Sequence, residues 1–364
     1  MKITNYSTAS NRCNLSYNIS EIKSSRAMKN ILLIVFLLPF GISAYGQEPK
    51  AKSLDSIMPA EVKNRARAII ADKFPATRII DIQYEQFSNT DYDSEFKRKK
   101  LEEGTFSQKR FRLALNIPII RKPTWTLSAS GRYRFESFDF SNVKNVSEDY
   151  PSMPLTKSKD YHYLSGGINY SKTTKLFGKP FIYNASVIFD GSDEGYERVT
   201  GALLATIILK KTERTTIGLG AIAFIDPASQ LPALPVFVYE HKFSGSKWIL
   251  DATLPRYVYM RRELMQNGRI SLGTGFEGTN FYTYNNSQPD FASVNSFSQN
   301  ELKTGFMYEY HISKMFIATL RGGFATIFGG QLTESNKKQS DDDLMISQGM
   351  NMYFNVGFSF NPFK

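Results

Sequence analysis

A two-residue rhythm of apolar and polar side chains runs through most of this chain and leaves few folds open to it. In "NMYFNVGFSFNPFK", residues 351–364, Phe354, Val356, Phe358 and Phe360 take every second place, and Asn355, Gly357, Ser359 and Asn361 fill the places between. Successive side chains of a strand point to opposite faces, so this period marks a sheet with one greasy face and one polar face. "IIDIQYEQF" sets Ile80, Ile82 and Tyr84 against Asp81, Gln83 and Glu85, and "RFRLALNIPI" sets Phe111, Leu113, Leu115 and Ile117 against Arg110, Arg112, Ala114 and Asn116. Strands are expected near 79–89, 106–118, 124–138, 161–172, 180–190, 198–209, 214–225, 234–243, 247–254, 256–265, 268–283, 299–312, 314–328 and 350–362.

The period alone does not say whether the apolar face meets a second protein layer or lipid. The connections do. Tight turns at "RKPT", "TTKLFGK", "KKTER", "SGS", "QNG" and "SK" alternate with longer polar links at 91–104, 139–159, 284–298 and 329–348. Short turns at one end and long loops at the other are the pattern of an outer-membrane barrel. The expected fold is therefore all-β, a transmembrane antiparallel up-and-down barrel of about fourteen strands, with twelve to sixteen as the range. A turn at Pro255 keeps the strand number even. The last strand is expected to pair with the first, because an open edge in lipid leaves backbone groups unsatisfied at several kcal/mol each.

The early residues read differently. Lys29, the apolar run Ile31 to Phe40, and the small residues Ala44 and Gly46 form the pattern of a secretory signal at 28–46, with 1–27 an upstream extension and Gln47 the first mature residue. About ten apolar residues are too few to span hydrocarbon ~30 Å thick. Between 47 and 78 lies a linker with one short amphipathic helix, in which Val62, Ala66, Ile69 and Ile70 share a face; it would plug the barrel or lie in the periplasm. The single cysteine, Cys13, precedes the cleavage point, which excludes a disulfide or thiolate site from the mature chain. The net charge of +11 includes five basic residues and one acidic residue before Gln47, so the mature surplus is a diffuse +7 that gives no reason to expect nucleic acid.

The closing strand, with its alternating rings ending beside Phe363, resembles the signal by which outer-membrane barrels are recognised for assembly. The mature chain, with its short helix before "FPATRIIDIQYEQF" and its "LPVFVYEHKF" to "ATLPRYVY" segment, resembles uncharacterised single-domain outer-membrane barrels of Bacteroidota-type bacteria. The resemblance covers about 79–364 and implies the cell outer membrane as location, with membrane lipid and the barrel assembly machinery as partners. It brings no activity with it.

Residues that carry chemistry are few. The histidines at 162, 241 and 311 are scattered, so no metal or cofactor is expected. His162 and Ser165 are three apart in a strand and face opposite ways, so they form no catalytic pair. Asp341, Asp342 and Asp343 read as a solvated loop. No catalytic residue is expected, and the chain is not read as an enzyme. The inward face is more telling: Arg110, Arg112, Arg132 and Arg134 share the parity of polar neighbours and should point into the lumen, with Asp81, Glu85, Glu136, Glu277, Glu301 and Glu309 as inward carboxylates. Such a set either draws solutes into a channel or pairs internally and fills the barrel. Three functions follow in descending order: a passive channel for a small solute, a barrel that anchors partner-binding loops such as "DYDSEFKRKKLEEG" and "SEDYPSMPLTKSKD", and a lipid-modifying barrel enzyme.

Overall fold

The computed structural model describes residues 77–147, 150, 155, 160–285 and 290–362. The signal expected at 28–46 and the helix expected within 47–78 lie outside these residues apart from Thr77 and Arg78. The described chain forms sixteen strand segments: β1 (Ile80–Phe87), β2 (Thr90–Phe96), β3 (Lys99–Arg121), β4 (Trp125–Asn145), β5 (Asp160–Leu176), β6 (Lys179–Gly191), β7 (Tyr196–Lys211), β8 (Thr215–Ile225), β9 (Ala233–Lys242), β10 (Trp248–Leu254), β11 (Tyr257–Leu264), β12 (Gly268–Tyr284), β13 (Val294–His311), β14 (Phe316–Glu334), β15 (Leu344–Gln348) and β16 (Asn351–Phe360). β1 and β2 are one wall strand interrupted at Ser88 and Asn89, and β15 and β16 are another interrupted at Gly349 and Met350.

These segments form a closed antiparallel barrel of fourteen strands. Each wall strand pairs with its chain neighbours, and the first strand closes on the last through Ile80↔Phe360, Tyr84↔Val356 and Phe87↔Tyr353. The expected turn at Pro255 joins β10 to β11. We call the end carrying Ile80 and Phe360 the near end. Near-end turns are all short, and the long links lie at the far end.

Two far-end links are not the loops the sequence suggests. "DYDSEFKRKKLEEG" is the β2–β3 hairpin, paired from Thr90↔Phe106 to Phe96↔Lys99, and the link expected at 329–348 carries the end of β14 and all of β15. In both, alternation persists beneath a high charge content: Tyr92, Ser94 and Phe96 are buried while Asp91 and Glu95 are exposed.

Wall height varies around the ring. β3 and β4 run 23 and 21 residues, but β10 and β11 only 7 and 8. At ~3.3 Å per residue and a tilt near 40°, a seven-residue strand rises about 18 Å, less than an apolar band of about 25 Å. β12 loses its β11 partner beyond Gly275 and continues alone with β13. Just below that level a row of glycines crosses three strands, Gly273↔Gly305↔Gly323. Gly273 and Gly323 sit at φ 155° and 156°, and a Cβ on any of the three would lie 2.1 Å from a neighbouring carbonyl oxygen. No other residue fits that row.

Candidate functional site: the barrel lumen

Outward and inward faces differ as the alternation requires. Tyr84, Leu164, Val187, Leu203, Leu219, Phe324 and Phe354 are each 42–50% exposed on the outer wall. Inward neighbours such as Gln83, Glu85, Arg110 and Asn355 are buried.

At mid-height the inward charges meet in one network. The Arg110 guanidinium donates to Glu301 through both terminal nitrogens (2.6 and 3.0 Å), to Glu136 through Nε (2.6 Å) and to Glu85 (2.9 Å). Lys303 Nζ lies 2.8 Å from Glu85, 2.9 Å from Glu301 and 3.1 Å from Glu277. Arg112 donates to Glu277 at 2.9 Å, Arg321 stands 3.7 Å from the same carboxylate, and Arg134 Nε is 3.2 Å from Glu136. Gln108, Thr279 and Gln299 supply further donors to Glu136 and Glu301. Each carboxylate of this network thus has a cation and at least one more hydrogen bond or ion pair, which is what makes buried charge tolerable. β3 and β13 are separated along the wall by β1, β16 and β14, roughly 19 Å of sheet. The Arg110–Glu301 contact therefore crosses the lumen as a chord.

Register explains which expected partners meet. Glu85 lies opposite Arg110 and Gln83 opposite Arg112, but Asp81 faces Ala114. The short Asp81 carboxylate accepts instead from Ser359 (2.6 Å) and Gln83 (2.7 Å), not from an arginine. Glu309 belongs to a separate near-end pair of bridges, with Arg78 and Arg269, both at 2.5 Å. Arg132 shares the inward parity, is exposed, and makes no ion pair among the described residues. Lys303 and Arg321 were not anticipated, although Lys303 follows Glu301 by two positions and so shares its face. His162 is outward, bonded to the Tyr133 hydroxyl at 2.9 Å, and among the described residues no cluster suits a metal ion.

Above the charges, towards the far end, the lumen is packed with rings. Tyr92, Phe96, Leu101, Phe106, Phe138, Tyr161, Phe281, Phe297, Leu332 and Leu344 form one buried cluster. Tyr161 on β5 stacks on Phe281 of β12 at 4.4 Å, and Tyr282 donates to Asp190 of β6 at 2.6 Å. β5 and β12 stand at opposite points of the fourteen-strand ring, yet their Cα atoms come within 8 Å. The far part of β12 has crossed the barrel and docked on the inner face of β5 and β6. What stays outside this packed sector is the half-cylinder from β6 to β11, where inward Ile182, Leu204, Ile222 and Val236 are only partly buried. Its wall is lowest at the β10–β11 hairpin, beyond which β12 runs on without a β11 partner.

Residues 196–361, from β7 to the last strand, match the model of a domain of unknown function (DUF6268). No curated protein matches the chain. Among solved structures, an outer-membrane channel of Pseudomonas putida F1 aligns at TM-score 0.34 and 11% identity, over 77% of this chain and 94% of that one. A Pseudomonas aeruginosa FadL homologue aligns at TM-score 0.35 and 8% identity, over 78% and 89%. Outer membrane phospholipase A of Escherichia coli aligns at TM-score 0.29 and 9% identity, over 77% and 93%. At such scores and identities no residue correspondence carries over.

Proposed function

We propose that this protein is an integral barrel of a Gram-negative outer membrane which passes small uncharged solutes by a restricted route and is not an open charged pore. The supporting observation for the location is the outer wall: a continuous belt of half-exposed aliphatics and rings around a buried charge network is stable only where hydrocarbon covers the belt. The near end then faces the periplasm and the far end the outside. Membrane lipid and the assembly machinery are its expected partners, and its resemblance to barrels of Bacteroidota-type bacteria belongs to the same proposal.

The route runs along β6–β11. Of the four arginines expected to line a channel, Arg110, Arg112 and Arg134 are engaged in ion pairs, and the β12–β5 sector is packed shut. The opposite half keeps partly exposed apolar side chains, and its wall is lowest at the β10–β11 hairpin, the point where we place the exit of the route. Liposome swelling tests this: neutral solutes should enter faster than charged ones of equal size, and planar bilayers should show no wide, porin-like steps. Large ohmic steps in the unmodified protein would overturn the restricted route. The packed sector also favours a second reading, a non-conducting anchor for far-end loops; absence of both swelling and conductance would support it.

A further inference from the structure

We propose that the lumen holds one monovalent anion of chloride size, seated beside Arg321 in a cavity bordered by Tyr259, Lys303 and Tyr353. Arg321 is the cation of the charge network that its neighbours satisfy least. Its side chain is only 15% exposed, yet its nearest carboxylate, Glu277, stands 3.7 Å away. That carboxylate is held more closely by Arg112 at 2.9 Å and Lys303 at 3.1 Å, and Arg256 is a fourth cation within its electrostatic range. Asp81, the other carboxylate near enough to act on Arg321, is bonded to Ser359 and Gln83 instead. A guanidinium offers five N–H donors, but Arg321 makes no hydrogen bond among the described residues, and its buried Nε has no partner. Charge taken out of water needs both a counter-charge and its hydrogen bonds. A share of Glu277 is all that Arg321 has.

The cavity beside it measures about 20 Å³ and is bordered by Tyr259, Glu277, Lys303, Arg321 and Tyr353. That is room for a single water-sized species. Glycines set the position of one phenol: a Cβ on Gly273 would lie 2.9 Å from the Tyr259 ring, and one on Gly275 2.7 Å from its hydroxyl. With glycine at both places the ring lies against β12 and carries its oxygen over Gly275. Both rings are also packed from the side, Tyr259 on Tyr257 at 5.2 Å and Tyr353 against Phe87 at 6.3 Å. Neither hydroxyl makes a hydrogen bond among the described residues. The cavity is thus met by two phenol donors, a guanidinium with unused N–H groups and an ammonium, and hydrogen bonds from charged donors to an anion are the strong ones. Glu277 does not reverse the sign, because Arg112, Lys303 and Arg321 surround it. A water there would take up a hydrogen bond and leave the charge. An anion answers both.

The test uses the full mature barrel refolded in detergent, with its denaturant midpoint read from the heat-modifiable band in sodium chloride and in sodium gluconate of equal ionic strength. Gluconate is too large for the cavity. The midpoint should be higher in chloride and rise with its concentration to saturation, since a ligand bound only by the folded state stabilises it. Bromide should replace chloride, and crystals grown in it should show an anomalous peak beside Arg321. Arg321→Met should abolish the difference between the two salts. Where that variant fails to fold, Tyr259→Phe, which removes one hydroxyl, should raise the half-saturating chloride concentration several-fold. Equal midpoints in the two salts, a chloride effect unchanged in these variants, or no bromide peak at the cavity would overturn the site, leaving water alone there and the membrane reading untouched.

Discussion

The membrane-level wall and the far-end extension of the same strands obey opposite polarity rules. On β16, outward Phe354, Val356 and Phe358 are exposed and inward Asn355 and Ser359 are fully buried. On β2, outward Asp91 and Glu95 are exposed and inward Tyr92 and Phe96 are buried. The inversion falls at the Ser88–Asn89 and Gly349–Met350 interruptions, where both closing strands break at one level. The period is two on both sides but slips by one place at each break, the buried inward places being odd-numbered in β1 and β16 and even-numbered in β2 and β15. Apolar residues face whatever is not water: lipid below, and one another above. The far end is thus built like a soluble β-sandwich set on a membrane barrel.

The contrast can be attacked first at its most costly point. Arg110→Met would strand Glu136, Glu301 and Glu85 without their shared cation, and breaking a buried pair costs about 3–5 kcal/mol. A lower denaturant midpoint for the heat-modifiable band is expected, and an unchanged midpoint would show that pairing does not hold the seam sector. Phe281→Ala removes the ring at the centre of the far-end core and should cost about 3 kcal/mol. It should also open the β2–β3 hairpin to protease while the belt stays protected. One substitution placed on both outward faces sharpens the comparison: Phe354→Arg should cost about 2–4 kcal/mol near the bilayer middle, and Ser347→Arg, exposed above the break, less than about 0.5 kcal/mol. Equal effects would deny the inversion.

The smallest expected effect is on alkaline titration. Burial, with the Glu102 carboxylate accepting its hydrogen bond at 2.9 Å, pushes the Tyr92 phenol above its ordinary 10.0. A raised folded value favours the protonated form, so the stabilisation is whole below pH ~10 and is lost as pH rises towards the folded value. Ultraviolet titration should find one tyrosine ionising later in the wild type than in Glu102→Gln.

Much of this was readable from residue order. Strand positions, their even number, and the inward parity of Arg110, Glu85 and Glu301 follow from a strict period of two. The same period also runs through "DYDSEFKRKKLEEG", but there the outward places carry charge, and the stretch reads as a loop unless Tyr92 and Phe96 are weighed above Asp91 and Glu95. Asp81 shows a different limit: its parity is legible, but its partner depends on register against β3, where it faces Ala114. Lys303 was within reach, two places from Glu301.

What the sequence determined by itself is local and periodic: which residues form strands, which face each side chain takes, and that the barrel must close to leave no edge. The tertiary structure alone decided that Arg110 reaches Glu301 across the lumen, that β12 departs from the cylinder at a row of glycines to pack on β5, and that one half of the interior fills while the other does not. Those outcomes depend on distances between strands far apart in the chain. Alternation along a strand sets a side chain's direction but says nothing about what stands opposite it.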